Sequence, residues 1–192
     1  MISGNCYKVK LVASILEIPL EWIHVDIMAG GARTSEFLEM NPNGKVPTIE
    51  LSDGKYISES NAIANYLAFD TPLFPDDNYL KAKVLQWQFF EQYSHEPYIA
   101  VARFINKFQG MPEERKEEYR SKQNGGNYAL KVMDDHLSVV PYFVGDILTV
   151  ADISLYAYTH VSHEGGFNLE SYENIQAWIQ RLSSHPNYVG ME

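Results

Sequence analysis

Apolar and polar positions recur along the chain with two different periods, and the change from one to the other divides it. Residues 8–18 carry Val9, Val12, Ile15 and Leu16 at helical spacing, and Pro19 closes the segment. From Leu20 to Ile27 the period shortens to two, with Ile23, Val25 and Ile27 on one face, which predicts a strand. A Gly-Gly turn comes next, then a short helix around 35–40 ended by Asn41-Pro42-Asn43-Gly44. Val46 to Leu51 reads as a second strand, Asp53-Gly54 as a two-residue hairpin turn, and Lys55-Tyr56-Ile57 as its partner. Ser58-Glu59-Ser60 then opens a helix over 61–68. Helix, strand, helix, hairpin, helix is a mixed α/β unit.

Residues 69–75 hold two prolines and no period, so the boundary between two domains is expected there, giving 1–69 and 76–192. Every later periodic segment is helical. A long run over about 77–108 should kink or break at Pro97. A charged, solvated helix spans 113–123, and Asn124-Gly125-Gly126-Asn127 should interrupt the chain or bend it beyond that helix. Residues 128–137, 150–161 and 173–184 are three further amphipathic helices. The second domain is therefore expected to be an all-helical bundle.

Composition narrows the setting. In 192 residues, 45% are hydrophobic and 21% charged, ordinary for a folded soluble protein. No run approaches the roughly 18 apolar residues of a membrane helix, and the start lacks a basic segment followed by an apolar one. Neither membrane nor export is expected. The single cysteine, Cys6, excludes an internal disulfide and agrees with the reducing cytoplasm. A net charge of −10 speaks against nucleic acid as a partner, so an anionic ligand would need a local site.

Three places could supply such chemistry. A cis bond at Val46-Pro47 would turn the Val46 backbone outward to pair with an extended peptide; a trans proline would merely open an edge strand. At Glu59-Ser60, a helix N-terminus and a hydroxyl suit a carboxylate, and Glu59 suits an ammonium group. The alternative is a serine that only caps the helix. Ser3-Gly4-Asn5-Cys6 lies ahead of the first helix, where a serine hydroxyl or asparagine amide could stabilise a ligand thiolate; Cys6 is either a packing residue or itself a nucleophile. His160 and His163, with Glu164 beside them, lie close together but without a further ligand at a recognisable spacing, so no metal is expected. Tyr98, Arg103 and Phe104 line a pocket or belong to the helical core.

The string Ser3 to Lys10, then Asn41-Pro42-Asn43-Gly44-Lys45-Val46-Pro47-Thr48, then Glu59-Ser60-Asn61-Ala62-Ile63, resembles the N-terminal domain of the glutathione S-transferases. Phe143 to Ile153 is similar to that family's helical-domain signature, with Thr149 and Asp152 at capping-box spacing. The resemblance, to a bacterial-type serine-like member, implies a thioredoxin-like domain followed by a helical bundle. It implies glutathione as co-substrate: Val46 and a cis Pro47 against its cysteinyl residue, Glu59 and Ser60 on its γ-glutamyl end, and Lys45 reaching its glycyl carboxylate. Ser3, or secondly Asn5, would activate the thiol for attack on a small apolar electrophile. A cytoplasmic homodimer in detoxification is the implied setting. A glutathione-binding module without turnover, or a thiol oxidoreductase using Cys6, is the alternative. Family members begin with a strand ahead of the serine; only Met1 and Ile2 precede Ser3, so that strand is expected to be missing.

Overall fold

The computed structural model describes residues 3–191. It divides into two compact units, residues up to 69 together with 186 onward, and residues 70–185. The place ahead of Ser3 where a first strand is expected to be missing holds Met1 and Ile2, which lie outside the described residues.

In the first unit, α1 (Gly4–Ile15) starts earlier and ends earlier than its apolar period predicts. Ser3 stands at its N-cap, so Gly4-Asn5-Cys6 lies inside the first turn rather than ahead of the helix. The helix stops because Glu17 turns left-handed at φ 55° and the Ile18 N–H returns to the Ala13 carbonyl. Tyr7, Leu11, Val12 and Ile15 are buried, and α1 packs on α3 (Ser60–Ala68), whose inner face is Ile63, Ala64 and Ala68. The short α2 (Ser35–Met40) is capped by Thr34, whose Oγ1 accepts from the Phe37 N–H at 3.3 Å.

The hairpin forms from β1 (Thr48–Glu50) and β2 (Tyr56–Ser58), antiparallel, with Ile49 opposite Ile57. Its loop takes three residues rather than two. The ladder continues through Leu51 N–H to Lys55 O at 2.8 Å, and Gly54 supplies the left-handed φ of 80°. The strand predicted over Leu20–Ile27 does not form. Alternation marks which side chains would share a face, but a strand needs a ladder partner. Among the described residues the only sheet is the β1–β2 pair, and Trp22, Ile23 and Ile27 are exposed. Residues from 186 onward return to α1: Tyr7 Oη donates to Val189 O and Ser14 Oγ to Asn187 O, both at 2.8 Å.

The second unit is helical, with only two isolated β-bridges near Val144. The predicted long run exists as α4 (Asn78–Phe90) and α5 (Glu96–Arg103), joined by a π-helical turn, Glu91–His95. Pro97 has no N–H to give, and the wider turn beside it carries the chain on without a break. A second π turn, Phe104–Phe108, comes directly after α5.

The interruption expected at Gly125-Gly126 is also absent, since α6 (Lys116–Leu137) runs straight through. A Cβ on Gly125 would meet the Tyr98 ring at 2.2 Å, and one on Gly126 the Phe167 ring at 2.3 Å. Glycine there lets two aromatic rings lie against the helix backbone. The last two helices are α7 (Val150–Thr159), buried along its whole length, and α8 (Glu173–Ser183). The capping box opens α7 as expected, and Asp152 extends it. Its carboxylate accepts from the N–H groups of Phe143 and Thr149, both at 2.9 Å, and from Trp178 Nε1 at 3.1 Å.

Candidate functional site

In the first unit, the loop from Asn41 to Pro47 is held by one buried side chain. Asn41 Nδ2 donates to Lys45 O at 2.8 Å, and its Oδ1 accepts from the Asn43 N–H at 3.1 Å. Gly44 has φ 61°, and a Cβ there would stand 2.6 Å from Arg33 Nη1. The Val46-Pro47 peptide bond is cis, as the family resemblance implied. The β1–β2 ladder begins at Thr48, so the N–H and C=O of Val46 take no part in it. Val46 itself is half-buried. Lys45 lies beside it with its side chain exposed.

Helix α3 has Glu59 at its N-cap, and no side chain caps it. The Glu59 backbone sits at φ 69°, ψ 115°, a left-handed conformation that costs a non-glycine residue about 1–3 kcal/mol. Ser60 is next, only 6% exposed. Its hydroxyl is engaged sideways instead of on the helix end. It accepts from Lys8 Nζ at 3.4 Å and donates to Asn5 Oδ1 at 3.2 Å. Asn5 of α1 and Ser60 of α3 are thus brought together. The first-turn N–H groups of α3 supply the anion-attracting end of a helix beside that hydroxyl.

Ser3 stands at the N-cap of α1 without a side-chain cap hydrogen bond, its hydroxyl near the Cys6 thiol. Burial pushes the Cys6 thiol up, and the Ser3 hydrogen bond opposes that only in part. Of the remaining candidates, His160 is stacked on Tyr156 and its Nδ1 lies 2.7 Å from Tyr156 O. Burial chiefly holds its imidazole down to about 4. Glu164 is bound by Arg103 Nε at 2.5 Å and by Lys107 Nζ. Among the described residues no three His, Cys, Asp or Glu gather to hold a metal, and no helix is long and apolar enough to cross a membrane. Arg103 belongs to the buried interior of the helical unit, and Tyr98 covers Gly125 there.

Two residues of the site were not singled out by sequence reasoning, Lys8 and Asn41. A signal for Lys8 existed. It shares the α1 face of Val12 and Ile15, four and seven residues on, so a lysine stands in an apolar stripe.

Comparison with known proteins gives consistent results. Residues 2–68 match the glutathione S-transferase N-terminal domain and residues 85–186 the glutathione S-transferase C-terminal domain. A glutathione S-transferase of Pseudomonas fluorescens is 57% identical and superposes with a TM-score of 0.97, over 98% of this chain and 94% of that one. The glutathione transferase URE2P6 of Phanerochaete chrysosporium, solved with oxidized glutathione, is 25% identical at a TM-score of 0.86, over 96% of this chain and 88% of that one. Elongation factor 1-gamma of Artemia salina is 32% identical over 183 residues, which is 93% of this chain and 41% of that protein. The chain therefore spans well under half the length of that relative.

Proposed function

The chain belongs to the glutathione S-transferase family, and we propose that it binds glutathione in its first unit and transfers the thiol to a small, apolar electrophile. Val46 pairs through its backbone with the cysteinyl residue, beside Pro47. Ser60 and the first turn of α3 take the γ-glutamyl carboxylate, Glu59 takes the neighbouring ammonium group, and Lys45 reaches the glycyl carboxylate. The observation that carries this reading is Ser60, a buried hydroxyl at a helix N-terminus that caps nothing and is already oriented by Asn5 and Lys8.

Ser3, with Asn5 as the second candidate, hydrogen-bonds the ligand's sulfur. A free thiol ionises near 8.5, and each unit of lowering needs about 1.4 kcal/mol of preferential thiolate stabilisation. A charge-assisted hydrogen bond at a helix end is of that order. The thiolate then attacks the electrophilic carbon; a C–S bond forms and the leaving group departs with its electron pair. The single cysteine suits the reducing cytoplasm. A homodimer belongs to the same reading, and Leu85, Phe89 and Tyr93, exposed at a spacing of four, offer α4 and its π turn as a contact face. Catalysis by Cys6 is disfavoured, because burial raises the cost of its thiolate.

Calorimetric titration with glutathione, paired with an absorbance assay of its conjugation to chlorodinitrobenzene, tests the proposal. Saturable binding with turnover supports it. Binding without turnover replaces it by a non-catalytic glutathione-binding module of the same fold. No binding overturns both.

A further inference from the structure

We propose that Lys8 is a positioning residue for the ligand's γ-glutamyl α-carboxylate, acting through Ser60; this rests on the glutathione reading above. Lys8 is completely buried, on the inner face of α1 beside Tyr7, Leu11 and Val12. An ammonium group in such a place is costly to desolvate, and packing alone would be served better by leucine or methionine. Its Nζ lies 3.4 Å from Ser60 Oγ. An ammonium donates and never accepts, so Ser60 must receive this bond and spend its own proton elsewhere. That proton now goes to Asn5 Oδ1 at 3.2 Å.

A carboxylate is a stronger acceptor than an amide oxygen and takes the Ser60 proton on arrival. It then sits one hydroxyl away from the Lys8 charge, roughly 6 Å. Lys8 thereby does two things: it fixes Ser60 as a donor and supplies a positive charge beside the γ-glutamyl carboxylate.

The test compares two ligands on three proteins by calorimetry. The ligands are glutathione and its analogue with the glutamyl α-carboxylate converted to a carboxamide. The proteins are the wild-type chain, Lys8→Met and Lys8→Gln, the last keeping a neutral donor. Wild type should prefer glutathione, and both variants should lose about tenfold or more of that preference, mainly through weaker glutathione binding. A merely structural lysine would weaken both ligands alike, and an unchanged preference overturns the proposal. Equal affinities in the wild-type chain overturn it too, without need of a variant that folds, and leave glutathione binding standing. Failure of wild type to bind either ligand defeats the underlying glutathione reading instead.

Discussion

Replacing Asp152 by alanine removes the acceptor for several buried hydrogen bonds at once. The carboxylate is fully buried and receives Phe143 N–H, Thr149 N–H, Thr149 Oγ1 and Trp178 Nε1 between 2.9 and 3.1 Å. The substitution strands three N–H donors in an interior that water does not reach, at about 1–3 kcal/mol each before relaxation. Removing a desolvated carboxyl returns part of this, so the net loss should be about 3–5 kcal/mol. That is a large share of the 5–15 kcal/mol typical of a domain. Urea unfolding followed by circular dichroism reads it directly. The pH dependence supplies an independent check. Burial pushes the Asp152 carboxyl up to about 6, against the donors around it, while the unfolded value is near 3.9. The folded state therefore keeps a proton that the unfolded state has lost. This group's stabilising contribution is full below about pH 4 and is lost as pH rises through 6, by about 3 kcal/mol. Asp152→Asn, which cannot ionise, should lack that slope. A stability difference between wild type and Asp152→Asn that stays flat from pH 4 to 6, or an alanine variant within about 0.5 kcal/mol of wild type, would show that the Asp152 carboxyl does not hold this part of the fold together.

Gly126→Ala should destabilise the helical unit by about 1–3 kcal/mol, because its Cβ lands on the Phe167 ring; helix propensity alone predicts a gain of about 1 kcal/mol, so thermal unfolding separates the two by sign. Glu59→Gly should stabilise the fold by about 1 kcal/mol by relieving the left-handed backbone, while weakening glutathione binding in a titration. His160 works in the opposite sense to Asp152. Its folded value of about 4 lies below the unfolded 6.5, so its contribution is full above pH 6.5 and lost as pH falls toward 4. His160→Gln should flatten that acid limb in a stability–pH series.

Much of this molecule is legible in its sequence because the decisive signals are local. The hairpin is announced by Asp53-Gly54, and the opening of α7 by Thr149 and Asp152, residues whose partners lie within a few positions. Legibility ends where a distant neighbour decides. Leu20–Ile27 alternates like a strand, but alternation cannot supply the ladder partner that makes one. Gly125-Gly126 reads as a break because helix propensity is counted without the Tyr98 and Phe167 rings that require it. Pro97 reads as the end or kink of a helix, and the π turn before α5 absorbs it. At the candidate site, Ser60 is visible as a hydroxyl at a helix start. Its orientation is not, since that depends on Lys8 and Asn5 more than fifty residues earlier.

In the proposed complex one tripeptide lies between Val46 and the N-terminus of α3. A crystal structure of the chain grown with glutathione tests this most directly. The cysteinyl backbone should be paired antiparallel with Val46 and the γ-glutamyl carboxylate should lie within hydrogen-bond distance of Ser60. Glutathione bound elsewhere on the chain, or absent from that site at a concentration that saturates wild-type binding in solution, would contradict it.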